Sequence, residues 1–323
     1  MRIEQVPLMQ QAPVAGSQLT VVQVVPGPRQ TPPSAWQEPS VRTEHVPLMQ
    51  HAPVTGAQGF VGSRLLGAIG GVPFEGDLLD AAAVERALSS RGWDAIVHLA
   101  AISHVPTCEK DPQQAFRVNL AGTALLLEAM RRQAPDARLV FPSSAQVYAR
   151  ADGFLDEESA IAPQNVYAQT KWQAELLVRD SGLRATVLRL FNHTHKSQSP
   201  DFFVPHLYRT LLQGVREVPV GNLEISRDIG VVQDLIAAFV AVLERAPDGV
   251  FNVCTGAPKR LSRVAAELAR RLGVEARFVV DPARVRAGEP ALIAGSHRRL
   301  TEGTGWKPDC PDEARLVERF LAD

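Results

Sequence analysis

Short apolar runs and helix-spaced apolar sets alternate along the chain from residue 80 to residue 280. The runs predict strands at Ala95–Ala100, Leu139–Phe141, Ala185–Leu190, Val250–Val253 and Ala276–Val280. The helix-spaced sets predict helices at Ala81–Ser90, 111–132, 165–180, Val231–Arg245 and Leu261–Leu272. This alternation indicates an α/β protein with a doubly wound parallel sheet, which binds ligands at the carboxyl ends of its strands.

A glycine-rich turn, Thr55-Gly-Ala-Gln-Gly-Phe-Val-Gly62, precedes this series and is followed by a helical pattern. Glycines at this spacing between a strand and a helix let backbone N–H groups approach a pyrophosphate at the helix N-terminus. The alternative is a tight turn that binds nothing.

The part of the sheet that would bind the dinucleotide, which we call the cofactor half, has fewer predicted strands than such a half requires. Pro53 lies in the strand before the turn, where it cannot donate a ladder hydrogen bond. Only Val72–Phe74 is apolar enough for a strand before the helix that begins near Asp80. We therefore expect one strand–helix unit to be shortened or missing, together with the residue that would distinguish NAD from NADP. Leu19–Val25 is a candidate replacement strand.

Residues 1–45 differ in composition from the rest, because they are rich in Pro, Gln and Val. Arg2–Gln18 recurs with substitutions as Arg42–Gln58. Two copies are too few for a solenoid, so we interpret the repeat as a local duplication or a start codon placed too far upstream. We expect this extension to be poorly ordered and to have no catalytic role.

Composition excludes several classes of protein. The chain has 323 residues, 45% of them hydrophobic, and a net charge of −1. It can therefore bury a large core, and it lacks the basic stripe of a nucleic-acid-binding protein. No apolar run reaches the length of a membrane span, and the amino terminus lacks a signal-peptide pattern. We expect a cytoplasmic protein with no membrane or nucleic-acid partner.

The sequence predicts no metal site. The three cysteines are too far apart for a disulfide framework or for metal-ligand spacing, and burial as small hydrophobic residues is the default expectation for Cys108, Cys254 and Cys310. Three histidines lie close in sequence but match no metal motif: His193, His195 and His206.

Tyr167 and Lys171 are the strongest candidates for chemistry. On a helix they lie on one face, one turn apart. A lysine ammonium beside a phenol would lower the pKa of the phenol from about 10 towards working pH, as general acid/base catalysis needs. Ser144 follows the apolar run Leu139–Phe141, so its hydroxyl is expected at the carboxyl end of a strand, within reach of a substrate carbonyl.

Together these motifs resemble the extended short-chain dehydrogenase/reductases, and the carboxyl half resembles the GDP-4-keto-6-deoxy-D-mannose reductases. The general motifs are Thr55-Gly-x-x-Gly-x-x-Gly62, Gly76-Asp-Leu-Leu-Asp80, His98-Leu-Ala-Ala101, Asn119-Leu-Ala-Gly-Thr123, Ser143-Ser-Ala-Gln-Val-Tyr148 and Tyr167-x-x-x-Lys171. The closer match is carried by Arg189-Leu-Phe-Asn-His-Thr194, Val220-Gly-Asn222, Ser226-Arg-Asp228, Phe251-Asn-Val-Cys254, Asp281-Pro-Ala-Arg284, Gly295-Ser-His297 and Thr304-Gly-Trp-Lys-Pro308.

The resemblance implies a role for each matching residue. Tyr167 would be the acid, Lys171 would orient the nicotinamide ribose, and Ser144 would hold the keto oxygen. Asn119 would lie in the proton relay. Besides Tyr167 and Lys171, the residues implied to bind NADPH or NADH are Gly56, Gly59, Phe60, Val61, Gly62, Asp77, Leu78, Leu99, Ala100 and Ala101. Those implied to meet a GDP-sugar are Ser144, Gln146, Asn192, Arg227 and Arg286. For each arginine the alternative is a surface ion pair.

The two residues that follow Ser144, Ala145 and Gln146, reduce the number of reactions that the resemblance allows. Related 4,6-dehydratases carry an acidic residue where this chain has Gln146, whose amide cannot exchange a proton in that way. The 3,5-epimerases carry a cysteine where this chain has Ala145. The resemblance therefore implies hydride transfer at C4, as the reduction of GDP-4-keto-6-deoxy-D-mannose to GDP-D-rhamnose. A nucleotide-sugar 4-epimerase is the alternative.

Two loops depart from the reductase pattern. The chain has His193-Thr-His-Lys-Ser-Gln198 where the reductases have His-Thr-Gly-Pro-Gly-Gln, and Arg227-Asp-Ile-Gly-Val231 where they have Arg-Asp-Phe-Leu-Asp. With the shortened cofactor half, these departures raise a further hypothesis, a catalytically impaired relative that keeps the sugar-nucleotide pocket. The intact Ser144, Tyr167 and Lys171 favour an enzyme.

The resemblance also implies an architecture. A Rossmann-like dinucleotide-binding domain would comprise residues 46–190 and about 230–254, and a smaller C-terminal substrate-binding α/β domain residues 191–229 and 255–323. Because family members are often dimers through two long helices, here 111–132 and 165–180, we expect a homodimer.

Overall fold

The structure is a computed structural model that describes residues 52–90, 92–245, 248–285 and 288–322. The extension 1–45, the candidate strand Leu19–Val25 and Arg286 therefore lie outside the described residues. In chain order the strands are β1 (Pro53–Thr55), β2 (Val72–Pro73), β3 (Ala95–His98), β4 (Arg138–Ser144), β5 (Gly153–Leu155), β6 (Ala185–Leu190), β7 (Asn192–Thr194), β8 (Glu217–Val220), β9 (Ser226–Val231), β10 (Gly249–Val253), β11 (Pro258–Arg260), β12 (Arg277–Val280) and β13 (Leu292–Gly295). The α-helices are α1 (Phe60–Ile69), α2 (Ala81–Ser89), α3 (Val105–Lys110), α4 (Pro112–Phe116), α5 (Gly122–Gln133), α6 (Val166–Arg179), α7 (Phe203–Leu212), α8 (Val232–Arg245), α9 (Leu261–Leu272), α10 (Arg298–Thr304) and α11 (Glu313–Ala322).

The main sheet confirms the predicted Rossmann-like fold. Six strands run parallel in the order β10-β6-β4-β3-β1-β2. One face is covered by α1, α8 and α10, and the other by α2, α5 and α6. The strands are apolar on both faces because both are buried, as a parallel sheet between helical layers requires. The chain reverses direction across the sheet between β1 and β3, which is where ligands bind in such folds.

The short cofactor half is confirmed in the described residues. Beyond β1, the described residues contribute only β2, which has two residues and is the last strand of the described sheet. Pro53 is tolerated because it is the first residue of β1, and the bonds that β2 donates to β1 end on the carbonyl oxygens of Ala52 and Val54. Pro73 lies on the outer strand, where a missing N–H costs no ladder bond within the sheet.

The helix predicted for 111–132 is interrupted. Asp111 caps α4 as predicted, its carboxylate accepting from the N–H of Gln114 at 3.0 Å. Between α4 and α5, however, Arg117–Ala121 forms a π-helical turn that contains Asn119. Such one-turn insertions are frequent at functional sites because they re-aim a side chain.

A second core lies in the C-terminal part of the chain. Helices α7, α9 and α11 bury apolar residues against β8, β9 and β12, with Leu207, Leu268 and Phe320 at its centre. Here β9 pairs with β7, β11 and β13, while β12 pairs with β8. The domain division proposed from the sequence stays a prediction.

None of the helices in the described ranges is long and apolar enough to cross a bilayer. The three cysteines are free and buried, as expected for small hydrophobic residues.

Candidate active site

Ser144, Tyr167 and Lys171 meet at the carboxyl end of β4. Ser144 is the last residue of that strand, and α6 packs against the strand. Tyr167 and Lys171 lie one turn apart in α6, as the spacing predicts, and the Ser144 side chain is close enough to the phenol of Tyr167 to influence its pKa. The sheet and the helix therefore bring together a hydroxyl pair and an ammonium that are far apart in sequence.

Two side chains fix the first turn of α6. Asn165 is the N-cap, and its Oδ1 accepts a 2.8 Å hydrogen bond from the N–H of Ala168. The carboxylate of Glu109 accepts a 2.8 Å bond from the N–H of Val166. Both satisfy N–H groups that an α-helix leaves without partners, and the negative charge suits the helix N-terminus. Tyr167 is thus held in a rigid turn.

The pKa of Tyr167 corrects the sequence-based expectation. Burial raises it to about 12, against an opposing effect of the neighbouring Ser144 hydroxyl, and the thiol of Cys108 raises it further. Lys171 does not lower it. The phenol is therefore protonated near neutral pH, which is the state that a general acid requires.

Lys171 faces other groups instead. It is buried, and its ammonium lies 4.2 Å from the centroid of the Phe141 ring. Burial lowers its pKa to about 7, although the Glu175 carboxylate acts in the opposite direction. Near neutral pH the ammonium is only partly charged, which explains why it does not stabilise a tyrosinate.

Asn119 links this site to the loop after β3. Its Oδ1 accepts from the N–H of Ile102 at 2.7 Å, and its Nδ2 donates to the Ile102 carbonyl and, at 2.9 Å, to the Thr170 hydroxyl. Both polar groups of its side chain contact α6 or this loop, so the Asn119 side chain connects the two elements. A role in proton relay stays a prediction.

The glycine turn is shaped for a dinucleotide. Gly56 has a φ of +66°, and a Cβ there would lie 2.7 Å from the N of Ala100. A Cβ on Gly62 would overlap the carbonyl oxygen of Gly56. The turn thus packs directly on Leu99 and Ala100, which joins two segments predicted to bind the cofactor.

This turn also leaves donors for an anion. The N–H of Gly59 is used by the Gly56 carbonyl at 2.9 Å. The next N–H groups, of Phe60, Val61 and Gly62, open α1 and have no acceptor within the helix. An uncapped helix N-terminus behind a close-packed glycine turn fits a pyrophosphate.

Asp77 and Leu78 follow β2, next to this turn in the sheet order. The Asp77 carboxylate accepts from the N–H of Leu79 at 2.9 Å, and Leu78 is buried. Ala101 follows β3 and is half-buried. Contact of these three residues with a cofactor stays a prediction.

The buried imidazole of His98 connects the end of β1 to α5 through two hydrogen bonds. Thr123 donates its hydroxyl hydrogen to the carbonyl of Asn119 at 2.7 Å, so it must accept from His98 Nε2–H at 2.9 Å. His98 Nδ1 is then an acceptor for the Thr55 hydroxyl at 2.8 Å, and Thr55 in turn accepts from the N–H of Ala100 at 3.1 Å. Burial, and secondarily the charge of Lys171, lower the pKa of His98 to about 3, which keeps the ring neutral.

Of the residues predicted to bind the substrate, Gln146 lies beside Ser144, whereas Asn192 and Arg227 interact with other groups of the protein. Gln146 follows Ser144 in a 3₁₀ turn and is exposed beside it. Asn192 in β7 donates to the carbonyl of Asp228 at 3.2 Å. Arg227 in β9 forms an ion pair with Glu289 at 2.9 Å, but the two side chains are only 12% and 23% exposed, so this is not the surface pair considered as the alternative. It would have to exchange that partner to hold a phosphate.

The loop 193–198, which departs from the reductase pattern, packs on α1. The rings of His193 and Phe60 stack with an interplanar angle of 6°, and Lys196 donates to the carbonyl of Leu321 at 3.1 Å. Burial lowers the pKa of His193 to about 4, so its ring is neutral. In the described part of the chain, no group of three or more His, Cys, Asp or Glu could hold a metal ion.

Sequence reasoning missed several supporting residues: Arg64, Glu109, Asn165 and Thr170. Asn165 carries a readable signal, because Asn before a helix is a preferred N-cap. The others act through long-range contacts that no local pattern encodes.

Comparisons with known proteins agree with this site. The profile of the NAD dependent epimerase/dehydratase family matches residues 52–254. A GDP-6-deoxy-D-mannose reductase of Pseudomonas aeruginosa is 35% identical over 229 residues, covering 67% of this chain and 75% of the relative. A UDP-glucose 4-epimerase of Corynebacterium glutamicum is 29% identical over 266 residues, covering 76% and 79%. The structure of RMD from Pseudomonas aeruginosa complexed with NADPH superposes with a TM-score of 0.75 and 28% identity, over 84% of this chain and 99% of that one.

The chain belongs to the NAD dependent epimerase/dehydratase family, which confirms the resemblance drawn from its motifs. The family and the glycine turn agree on a nicotinamide dinucleotide as cofactor.

Proposed function

We propose that this member of the family reduces the C4 keto group of a nucleotide-activated 6-deoxy sugar, GDP-4-keto-6-deoxy-D-mannose, to GDP-D-rhamnose. The observation that carries the proposal is the placement of Ser144 beside Tyr167, with Lys171 one turn away, at the carboxyl end of β4. The 35% identity to a GDP-6-deoxy-D-mannose reductase supports the substrate.

In the direction of reduction, Tyr167 and Ser144 act on the carbonyl oxygen. Bound NADPH or NADH would supply the hydride to the carbonyl carbon. Tyr167 is protonated, since its pKa is about 12, and donates its proton to the carbonyl oxygen as the hydride arrives. Ser144 donates a hydrogen bond to the same oxygen and stabilises the negative charge that develops on it.

Gln146 separates this proposal from a dehydratase. Its carboxamide lies on the rim of the site and can donate and accept hydrogen bonds, but it cannot exchange a proton with the sugar at neutral pH. A 4-epimerase is the second candidate, because it uses the same three residues and because a UDP-glucose 4-epimerase is among the relatives.

A catalytically impaired relative is the third candidate, and the edge position of the two-residue β2 favours it. The cofactor half would then be too small to hold the adenosine end of a dinucleotide. Against it stand the uncapped N-terminus of α1 and the close-packed glycine turn. Assembly as a homodimer and location in the cytoplasm stay predictions.

One experiment distinguishes these three candidate functions. Full-length protein is titrated with NADPH and then NADH by fluorescence, and reduced nicotinamide is followed by absorbance with the keto sugar. A reductase consumes one reduced nicotinamide per sugar, whereas an epimerase interconverts UDP-sugars with no net consumption. If neither cofactor binds up to millimolar concentration, the reductase and the epimerase are both excluded.

A further inference from the structure

Gln146 and Asn165 are joined side chain to side chain at the rim of the site. Asn165 Nδ2 donates to Gln146 Oε1 at 2.9 Å. Gln146 comes two residues after Ser144, and its backbone N–H donates to the Ser144 hydroxyl at 3.2 Å. Asn165 comes two residues before Tyr167 and caps the helix that carries it. The pair therefore connects the two hydroxyl-bearing segments of the site.

The direction of this hydrogen bond is fixed by the helix. Asn165 Oδ1 already accepts from the N–H of Ala168 at 2.8 Å, so the group that Asn165 presents to Gln146 is its NH₂. An NH₂ needs an acceptor, so Gln146 must turn its carbonyl oxygen towards Asn165. The NH₂ of Gln146 then faces away from the cap, and within the described residues it makes no hydrogen bond.

We propose that Asn165 is a positioning residue that orients the Gln146 carboxamide, and that the outward NH₂ of Gln146 donates to an oxygen of the sugar. The inference rests on the proposed function, because it assumes a sugar nucleotide beside Ser144. It assigns to the N-cap of α6 a part in choosing the substrate: a donor, rather than an acceptor, faces the hexose next to its reacting carbon.

Replacing Asn165 by Asp reverses this orientation without removing the cap. A carboxylate accepts from Ala168 N–H as well as the amide does, and Asp is a preferred N-cap. Its second oxygen is an acceptor, so the carboxamide of Gln146 must rotate to donate to it. The carbonyl oxygen of Gln146 then faces the sugar in place of the NH₂.

The readout is the ratio of the dissociation constants of GDP and GDP-D-rhamnose, measured by calorimetry on the full chain. This ratio isolates the contribution of the sugar. Gln146→Leu removes the donor and should lower the ratio about five-fold, as expected for one hydrogen bond. Asn165→Asp should lower it at least as much with the melting temperature retained. The double variant should be no worse than Gln146→Leu alone, because Asn165 acts through Gln146.

Controls keep the outcomes separate. Gln164→Leu changes an exposed amide next to the cap that bonds only its own loop, and should leave the ratio unchanged. Asn165→Ser keeps a capping oxygen and removes the NH₂, so it replaces Asn165→Asp if that variant melts early. If wild type binds neither ligand, the proposed function fails and this inference with it. If wild type binds GDP-D-rhamnose but Asn165→Asp leaves the ratio unchanged, or the two effects add, the orientation set by Asn165 does not determine sugar binding and only this inference is overturned.

Discussion

The guanidinium of Arg64 in α1 donates a 2.7 Å hydrogen bond to the hydroxyl of Ser197. It also reaches the imidazole of His195, with 3.2 Å between Nη2 and Nδ1, and lies 4.5 Å from the centroid of the Phe60 ring. The helix that follows the glycine turn is therefore fastened to the loop after β7. The bulk and charge that distinguish this loop from the reductase pattern are used in these contacts.

Removing that contact should loosen the loop. In Arg64→Leu the bonds to Ser197 and His195 are lost, and the fraction of open loop should rise about five-fold, as expected for one part-buried polar contact. Native-state trypsin cleavage after Lys196 measures this fraction when opening is fast. Arg298→Leu, at a side chain that is 83% exposed, is the control and should leave cleavage unchanged. Equal cleavage in both variants would show that Arg64 does not hold the loop.

Tyr167→Phe removes the proposed acid and leaves the ring. Reduction of the keto sugar should fall about 100-fold to 10,000-fold, which is the usual contribution of a positioned general acid. Affinity for NADPH should fall at most about five-fold, the worth of one hydrogen bond, because the glycine turn and Lys171 are unchanged. Steady-state rates and a cofactor titration on the same preparation test both statements. Retention of more than a tenth of the activity would mean that another group protonates the sugar.

Lys171 should give the reaction a falling alkaline limb. Its pKa is lowered to about 7, so the ammonium is lost as pH rises through neutrality, while Tyr167 stays protonated to about pH 12. The value of kcat/KM should therefore fall above about pH 7 in wild type, and the residual activity of Lys171→Met should lack this limb. The free energy of unfolding should change with pH in the opposite direction. Because the unfolded state binds the proton up to about pH 10.5, wild type should gain stability relative to Lys171→Met between pH 7 and 10.5.

His98 should make the fold sensitive to acid. The folded state keeps its imidazole neutral down to about pH 3, whereas the unfolded chain takes up a proton below 6.5. Stability is therefore present above pH 6.5 and is lost as pH falls towards 3. Between pH 6.5 and 5 the loss amounts to about 2 kcal/mol. His98→Gln, which offers one acceptor and one donor, should lose about 2 kcal/mol less than wild type in urea unfolding over this interval; parallel losses would place the proton uptake elsewhere.

Two glycines in α1 make a matched pair. A Cβ on Gly62 would overlap the Gly56 carbonyl, so Gly62→Ala should cost about 1–3 kcal/mol and abolish dinucleotide binding. A Cβ on Gly67 would meet no atom within 4 Å, so Gly67→Ala should stabilise the helix by about 0.5–1 kcal/mol and bind normally. Thermal melts and an NADPH titration test the pair. Normal binding by Gly62→Ala would show that the turn does not carry the pyrophosphate.

Much of the fold was readable from local pattern. The strands around Leu139–Phe141 and Ala185–Leu190 and the helix containing Tyr167 formed as predicted, because burial on both faces makes parallel strands continuously apolar and helices periodic. Local pattern did not show the π-helical turn at Asn119. The turn spans only Arg117–Ala121, inside a stretch that reads as one continuous helix from 111 to 132.

The sequence by itself determined the chemistry available: a tyrosine and a lysine one turn apart, a serine at a strand end, and glycines where a Cβ would not fit. These follow from residue type and short-range spacing. Only the tertiary structure decided the state of those groups. Burial raises the pKa of Tyr167 and lowers that of Lys171, Glu289 pairs with Arg227, and Asn165 turns the carboxamide of Gln146. Desolvation and hydrogen-bond direction depend on neighbours that the fold brings together from distant parts of the chain, so they arise only when it packs.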